Sequence, residues 1–305
     1  MTHNFDFSKF KQEINLTQYA AHLGYEIDRK KSTKSSVAMI LDADKIIISK
    51  RGGVWVYFSV FDDSDNGTII DFIQNRTSKT IFEIAQELET WIGGGESRPD
   101  LKSYVFDVKE QEKAPARIKK IFSCCSPAIK HAYIESRGIS STLLQSKRFT
   151  GRIYVDNYQN AVFPHYRDNK ICGLELKNAS KALFVRGSEK TFWRSNFKHG
   201  DDTLIIGEAV IDVLSHSILF PNANAVYAAT GGGMSPAQGD VLKYCVNSFK
   251  SLRTIILAMD NDEGGDRLSH KIEKILENSN FTGNIIRHSP KAQGQDWNDV
   301  LQAVE

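Results

Sequence analysis

The feature that most constrains the fold is a regular alternation between residue 201 and the C-terminus. Short apolar runs, TLIIG, AVYAAT, TIILAMD and NIIRH, are separated by longer helical patterns, AVIDVLSHSILF, AQGDVLKYCV and DRLSHKIEKILEN. Strands that alternate with helices of this length are typical of a parallel sheet covered by helices. Residues 201–305 are therefore predicted to form an α/β domain with a mainly parallel sheet.

The chain before residue 201 shows three other patterns. Residues 1–92 start with a helical stretch, FSKFKQEINLTQYAAHLG, followed by the strand-like runs SVAMILD, KIIISKR and VWVYFSV and by two further helical runs, which predicts a small domain with an antiparallel sheet. Residues 93–115 combine glycines, prolines and dense charge, as a linker does. Residues 116–200 begin helical and continue with strand-like units, with a hairpin signal at Asp168 and Asn169. The whole chain is thus expected to be a mixed α/β and α+β multidomain protein.

Charge is distributed very unevenly along the chain. Residues 114–200 hold 16 lysines and arginines against 5 acidic residues, a net charge of +11, whereas residues 201–305 have a net charge of −6. A basic part beside a carboxylate-rich part suits a protein that holds a polyanion near a metal cluster. A basic face that serves only solubility is the alternative explanation.

Other features bound the class of protein. No apolar run approaches the roughly 18 residues that cross a bilayer, and the N-terminus lacks a basic region followed by an apolar one, so we expect a cytoplasmic protein without a membrane partner. The four cysteines include no CxxC, which favours reduced thiols over a zinc site or disulfides.

Acidic residues follow two of the predicted strands. Glu208 comes directly after TLIIG, Asp260 closes TIILAM, and Asp262 lies two residues further on, before a glycine pair. Ligands of open parallel sheets bind beyond the carboxyl ends of the strands, and Mg2+ prefers carboxylate oxygens. Asp212, one helical turn after Glu208, could join them or lie on the surface.

Each of these features also has a structural explanation. An acidic residue at a strand end is usually a turn residue or a helix cap, but E-x-x-x-D and D-x-D-x-x-G on two strands of one sheet favour a metal site. The TGGGMSP loop after the second strand could approach phosphate with its backbone N–H groups or form a turn. His165 and His216 are given no role, because lone histidines are mostly structural.

These motifs resemble the Toprim domain of bacterial primases, topoisomerases and some nucleases. In that family the glutamate and the D-x-D pair are the catalytic and metal-binding carboxylates, which implies these roles for Glu208, Asp260 and Asp262. The ending SPKAQGQDWNDVL resembles the K-D-W-N-D close of Toprim domains in plasmid-borne primases and mobilisation proteins, which adds Asp296 as a metal ligand beside Asp212. Upstream, NAVFPHYRDNKICGLELKN resembles the primase stretch before Toprim, and residues 1–92 resemble the primase zinc ribbon without cysteine ligands, so no zinc is expected.

The resemblance implies a primase that makes short primers on single-stranded DNA from nucleoside triphosphates, with Mg2+ or Mn2+ as cofactor, in the replication of a plasmid, phage or other mobile element. A replicative helicase or a relaxase is the expected protein partner. Two alternatives stay open: a Toprim-type nuclease that uses the same carboxylates, and a catalytically weak DNA-binding accessory protein. Candidates for phosphate contacts in the basic part are Arg137, Lys147, Arg148, Arg152, Arg167, Lys181, Arg186, Lys190 and Arg194. Tyr154, Tyr166, Phe192 and Trp193 could stack on bases or belong to the core.

Overall fold

The computed structural model describes residues 5–62, 65–93, 108–109, 113–234 and 236–304. The chain forms two compact units, Met1–Glu112 and Lys113–Glu305. The predicted mixed α/β multidomain fold is confirmed. Most of the predicted linker, 93–115, lies outside the described residues. Within the described ranges, none of the helices has the length and apolar character that a bilayer crossing requires.

The first unit packs helices against an antiparallel sheet. Its elements are α1 (Phe7–Glu13), α2 (Leu16–His22), β1 (Glu26–Thr33), β2 (Ser36–Leu41), β3 (Asp44–Arg51), β4 (Val54–Ser59), β5 (Asn66–Gly67), α3 (Ile69–Gln74) and α4 (Ile81–Gly93). The strands pair in the order of the sequence, β1-β2-β3-β4-β5. Alternate residues such as Ile46, Ile48 and Tyr57 point into one core with Leu16 and Phe72 from the helices, which is why the strands read as short alternating runs.

The first helical pattern forms two helices rather than one. Ile14 has extended backbone angles, and the Asn15 side chain accepts a hydrogen bond from the Thr17 N–H at 3.0 Å. Asparagine is a strong N-cap because it satisfies an N–H that the first helical turn leaves without a partner. The apolar spacing continues across the break, so periodicity alone did not reveal it.

One arginine joins three parts of the first unit. The Arg76 Nη2 atom lies 2.8 Å from Asp44 Oδ2, at the start of β3, and 2.7 Å from Asp65 Oδ2, just before β5. Its Nε donates to the Tyr25 hydroxyl at 2.6 Å. These hydrogen bonds raise the pKa of Arg76 and lower the pKa of Asp65, although burial opposes both shifts. The guanidinium thus cross-links the connections at one end of the sheet.

The second unit contains two five-stranded sheets. The first part has α5 (Pro115–Phe122), β6 (Ser126–Pro127), α6 (Ala132–Glu135), α7 (Ser141–Gln145), β7 (Tyr154–Val155), β8 (Ala161–Arg167), β9 (Lys170–Asn178) and β10 (Lys181–Phe184), with strand order β10-β9-β8-β7-β6. The second part has β11 (Trp193–Arg194), β12 (Thr203–Gly207), α8 (Val210–Leu219), β13 (Ala225–Ala229), α9 (Pro236–Ser248), β14 (Thr254–Leu257), α10 (Glu263–Glu277), β15 (Asn284–Arg287) and α11 (Trp297–Gln302). Its strand order is β11-β13-β12-β14-β15.

The C-terminal sheet is parallel from β13 to β15, and only β11 runs antiparallel. Helices cover both faces. Ile205 packs on one face with Val213 of α8 and Leu301 of α11, while Ile206 packs on the other face with Leu268 of α10. Burial on both faces explains why the central strands read as continuous apolar runs.

Candidate metal and nucleic-acid site

The acidic residues meet at the carboxyl edge of the C-terminal sheet. β12 and β14 are neighbours in parallel register, with Ile206 opposite Leu257. Glu208 follows the last residue of β12 directly, and Asp260 lies three residues beyond β14. Neighbouring parallel strands bring their carboxyl ends to one edge of the sheet, so residues that are 52 positions apart in sequence become neighbours in space.

Asp262 begins α10 as its N-cap. Its Oδ1 atom accepts from the Gly265 N–H at 2.7 Å, which leaves Oδ2 outside the cap. A Cβ atom on Gly265 would lie 2.1 Å from the Asp260 carbonyl oxygen, so only glycine fits there. Asp296 caps α11 in the same way, through Oδ1 and the Asp299 N–H at 2.7 Å. Both aspartates thus serve as helix caps, and each has one oxygen that the cap does not use.

Asp212 is buried and Asp260 is half-buried, and the charge of each acts on the other carboxylate. Burial raises the pKa of Asp212 to about 7, with further contributions from the charges of Asp296 and Glu208. Burial likewise raises the pKa of Asp260 to about 8, and Asp212, Glu208, Asp296 and Asp262 all add to the shift. The five carboxylates predicted from the sequence therefore lie within electrostatic reach of one another.

This group fits a hard divalent cation. The Oδ1 atom of Asp260 is buried and has no hydrogen-bond partner among the described residues, which is costly unless an ion or a water satisfies it. As the side chains stand, no three acidic, histidine or cysteine residues in the described ranges converge on one point. Carboxylates repel one another, so ion binding would require side-chain rotations that bring their oxygens together.

The glycine loop fixes Glu208 in place. The N–H groups of Gly231 and Gly232 donate to the Glu208 carbonyl oxygen at 2.8 and 3.0 Å. Gly231 has φ of 72°, and a Cβ atom there would come within 2.9 Å of Phe184. In this conformation these two N–H groups bind the chain itself rather than a phosphate, so the loop acts as a brace for the acidic site.

The basic candidates differ sharply in environment. Arg148 is buried, and its guanidinium binds Asp201 through both Nη atoms at 2.7 Å and also the Asn196 and Ala223 carbonyls, so it does not face a nucleic acid. Arg167 pairs with Glu189 at 2.6 Å. Lys190 donates to the Gly233 carbonyl at 2.6 Å, beside the acidic site. Lys147, Lys181 and Arg186 are exposed, and Arg137 is half-buried.

Arg152 and Arg194 form the most distinctive basic pair. Their guanidinium carbons lie 5.0 and 5.6 Å from the centre of the Tyr166 ring. Burial lowers the pKa of Arg194, and the charge of Arg152 lowers it further. Neither arginine has an acidic partner within 4 Å in the described part of the chain. Two like charges held together without a counter-ion suit an anion.

The aromatic candidates divide between core and surface. Trp193 is fully buried and its Nε1 donates to the Arg152 carbonyl at 2.7 Å, and Phe192 is buried as well. Both therefore belong to the core. Tyr154 is half-buried and packs edge-on against Phe122, which leaves Tyr166, between the two arginines, as the aromatic candidate with a basic environment.

The two histidines that were assigned no role from the sequence, His216 and His165, each lie buried beside a polar residue that sequence reasoning missed. His216 Nε2 lies 2.9 Å from His288 Nδ1, and Trp297 packs on both rings. His165 and Glu175 lie buried on adjacent strands of the basic part. The sequence held one signal for the second pair, Glu175 in the run GLELKN. A charged residue at a strand position that faces the core is uncommon and therefore informative.

These observations define the class of protein. It has an α/β domain with carboxylates at the carboxyl ends of neighbouring parallel strands. Residues 205–301 match the Toprim-like family, so the C-terminal part of the chain is a Toprim-like domain and the predicted resemblance is confirmed there. Residues 132–208 match a second family, described as a protein of unknown function, DUF3991. No curated protein matches the chain in sequence.

Solved structures of primases are among those to which this chain is similar. The primase fragment of the bacteriophage T7 primase-helicase protein is 16% identical over 57% of this chain and 70% of its own length, with a TM-score of 0.44. The Aquifex aeolicus primase, in its zinc-binding and RNA polymerase domains, is 15% identical over 99% of this chain and 83% of its own length, with a TM-score of 0.41. A Pseudomonas aeruginosa primase domain is 16% identical over 49% of each chain, with a TM-score of 0.34.

Proposed function

We propose that this chain is a primase-like nucleotidyltransferase, which joins nucleoside triphosphates into short primers on single-stranded DNA. The observation that carries the proposal is the group of five carboxylates at the carboxyl edge of a Toprim-like sheet, in the same unit as the strongly basic part. Toprim domains generally bind Mg2+ through acidic residues, and phosphoryl transfer requires a cation where negative charge accumulates.

Glu208, Asp260 and Asp262 are the proposed principal ligands of Mg2+ or Mn2+, with Asp212 and Asp296 as accessory ligands. When bound, the cation supplies stabilisation of the charge that develops on the transferred phosphate. The glycine brace fixes the backbone of Glu208, and the caps anchor Asp262 and Asp296, so side-chain rotations at this edge of the sheet would bring the carboxylate oxygens onto the ion. The unsatisfied Asp260 oxygen supports this assignment.

The basic part is proposed to carry the template. The Arg152 and Arg194 pair around Tyr166 suits a backbone phosphate beside a stacked base, and the exposed Lys147, Lys181 and Arg186 would extend the path. Residues 1–92 are proposed as a second DNA-binding module, by their resemblance to the primase zinc ribbon. The D-W-N-D close suggests a role in mobile-element replication, with a helicase or relaxase as partner.

The test incubates the full chain with single-stranded DNA, labelled nucleotides and Mg2+ or Mn2+, and resolves the products by length. Asp260→Asn removes a proposed ligand with little change of shape. Asp240→Asn is the matched control, because Asp240 is an exposed carboxylate on α9. The proposal expects new short oligomers with the wild type and the control, and none with Asp260→Asn.

Other products would support a different function. A shortened template that depends on Asp260 would establish a nuclease. DNA binding without either product, unchanged by Asp260→Asn, would establish the accessory protein and refute the synthesis proposal.

A further inference from the structure

The loop before α11 is tied to Asn261, the residue inside the D-x-D pair. The Asn261 N–H donates to the Gln295 carbonyl oxygen at 3.0 Å, and the Asn261 carbonyl oxygen accepts from the Gly294 N–H at 2.7 Å. The Asn261 side-chain amide donates to the Pro290 carbonyl oxygen at 2.9 Å. These hydrogen bonds fix the loop to the turn between β14 and α10.

The same bonds bring two of the acidic residues together along the backbone. Asp260 directly precedes Asn261, and Asp296 directly follows Gln295, so each adjoins one member of a hydrogen-bonded pair. Asp296 is also the N-cap of α11, a helix of only six residues. A helix this short is not stable without tertiary contacts. The direction in which Asp296 presents its carboxylate therefore depends on what holds α11.

Asn298 joins the first turn of α11 to α8. Its side chain is fully buried, and its Nδ2 atom donates to the Ser215 hydroxyl of α8 at 3.0 Å and to the Arg137 carbonyl oxygen at 2.7 Å. One amide group thus uses both of its N–H donors to join three segments of the chain. A carboxylate at this position would face the Arg137 carbonyl oxygen with an acceptor and no donor.

Trp297 provides a second contact between α11 and α8. It is buried, and its ring centre lies 5.0 Å from that of His216, 4.7 Å from that of His288 and 5.3 Å from that of Phe220. His216 lies in the last turn of α8 and Phe220 is its C-cap, while His288 directly follows β15. A rotation of α11 about its axis would have to break this ring contact and the Asn298 hydrogen bonds together.

We propose that Asn298 is a positioning residue, which together with Trp297 fixes α11 on α8 and so holds Asp296 where its carboxylate can bind a divalent cation beside Asp260. This inference rests on the proposed function, since it requires Asp296 to be a metal ligand. The Asn261 hydrogen bonds set the place of Asp296, and the Asn298 hydrogen bonds set the rotation of the helix that it caps. Residues that orient a metal ligand strongly affect the affinity for the metal.

The experiment measures the Mn2+ affinity of the full chain by electron paramagnetic resonance of the free ion. The first variant is Asn298→Asp, which keeps the shape of the side chain and removes both donated hydrogen bonds. The expected result is a loss of Mn2+ affinity of about tenfold, the lower end of what replacement of such an orienting residue costs. Unchanged affinity, or the tighter binding that an added carboxylate would give if this position were itself a ligand, would overturn the inference.

A second variant tests whether Asn298 acts through Asp296. Asp296→Asn keeps the N-cap, because asparagine caps helices as well as aspartate does, and it removes the charge. In this background Asn298→Asp is expected to cause no further loss of Mn2+ affinity. An equal loss in both backgrounds would show that Asn298 affects Mn2+ binding by another route and would overturn the inference.

Two more variants complete the test. Gln302→Ala is the matched control, because the Gln302 side chain holds the other end of α11 by a hydrogen bond of 3.1 Å to the Ser136 carbonyl oxygen. It is expected to bind Mn2+ as the wild type does, and a loss equal to that of Asn298→Asp would refute the specific role of Asn298. If Asn298→Asp does not fold, as judged by circular dichroism, Ser215→Ala decides alone. It removes one acceptor of the Asn298 amide and is expected to weaken Mn2+ binding, so wild-type affinity would overturn the inference.

Failure of the proposed function gives a different result. A wild-type chain that binds no Mn2+, or an Asp260→Asn variant that binds it normally, would refute the proposed metal site and this inference with it. Mn2+ binding that Asp260→Asn abolishes and Asn298→Asp leaves unchanged would refute this inference alone.

Discussion

Asp212→Asn is expected to stabilise the metal-free protein at alkaline pH. Asparagine keeps the shape of the side chain and its acceptor oxygen toward the Ala209 N–H, but it cannot ionise. The folded protein raises the pKa of Asp212 from 3.8 to about 7, so ionisation costs more in the folded state than in the unfolded state. The resulting stability is fully present below about pH 4 and is lost as the pH rises through about 7.

The magnitude follows from the shift in pKa. Three pKa units correspond to about 4 kcal/mol when ionisation is complete, and Asp212 is only 5% exposed, so solvent screens little of it. At pH 5, which is above the unfolded-state pKa of 3.8, part of this destabilisation of the wild type is already present. The advantage of the variant over the wild type should therefore grow by about 2–3 kcal/mol between pH 5 and pH 8.5.

Urea unfolding in EDTA at the two pH values, with hydrogen exchange in α8 to locate the effect, measures this difference. Addition of Mg2+ should narrow the gap at pH 8.5, because the cation offsets the repulsion in the wild type only. The reasoning would be refuted if the variant gained the same free energy of unfolding over the wild type at pH 5 and pH 8.5. It would also be refuted if the variant were less stable than the wild type at pH 8.5, because the pKa of Asp212 would then not be raised by its surroundings.

Three further outcomes are expected. Arg148→Met leaves Asp201 buried without its partner and should lower the free energy of unfolding by about 3–5 kcal/mol in urea titrations; a loss below 1 kcal/mol would contradict the buried pair. Gly265→Ala pushes a Cβ atom toward the Asp260 carbonyl and should abolish Mn2+ binding measured by calorimetry, so normal binding would refute the tight turn. Arg194→Gln should weaken single-stranded DNA binding and reduce the slope of log affinity against log salt by about 1 in fluorescence anisotropy, and an unchanged slope would remove it from the DNA path.

The C-terminal architecture could be predicted because its signals are local or topological. Apolar runs of strand length alternate with helical patterns, and the parallel order then brings Glu208 and Asp260 to one edge without any knowledge of side-chain packing. The D-x-D-x-x-G spacing was also informative, since Gly265 is required by the close approach of the Asp260 carbonyl.

Other features depend on contacts between distant residues. Arg148 looked like its basic neighbours, and its burial follows from Asp201, 53 residues away. Glu175 is buried although it is charged, and its burial follows from its place on β9 beside β8, the strand that carries His165. Both cases show that the sign of a charge is readable from sequence, whereas its exposure is set by tertiary partners.

The Arg76 network gives the first unit a cross-link of a particular chemical kind. A guanidinium between two carboxylates keeps its charge at any physiological pH and contains no thiolate, and residues 1–92 contain no cysteine. Thiol oxidants and chelators have no group to act on in such a cross-link, and its burial keeps the screening of the ion pairs by salt small. This unit should therefore keep its fold in surroundings that oxidise thiols or lack metal ions, and its stability should change little as the ionic strength rises.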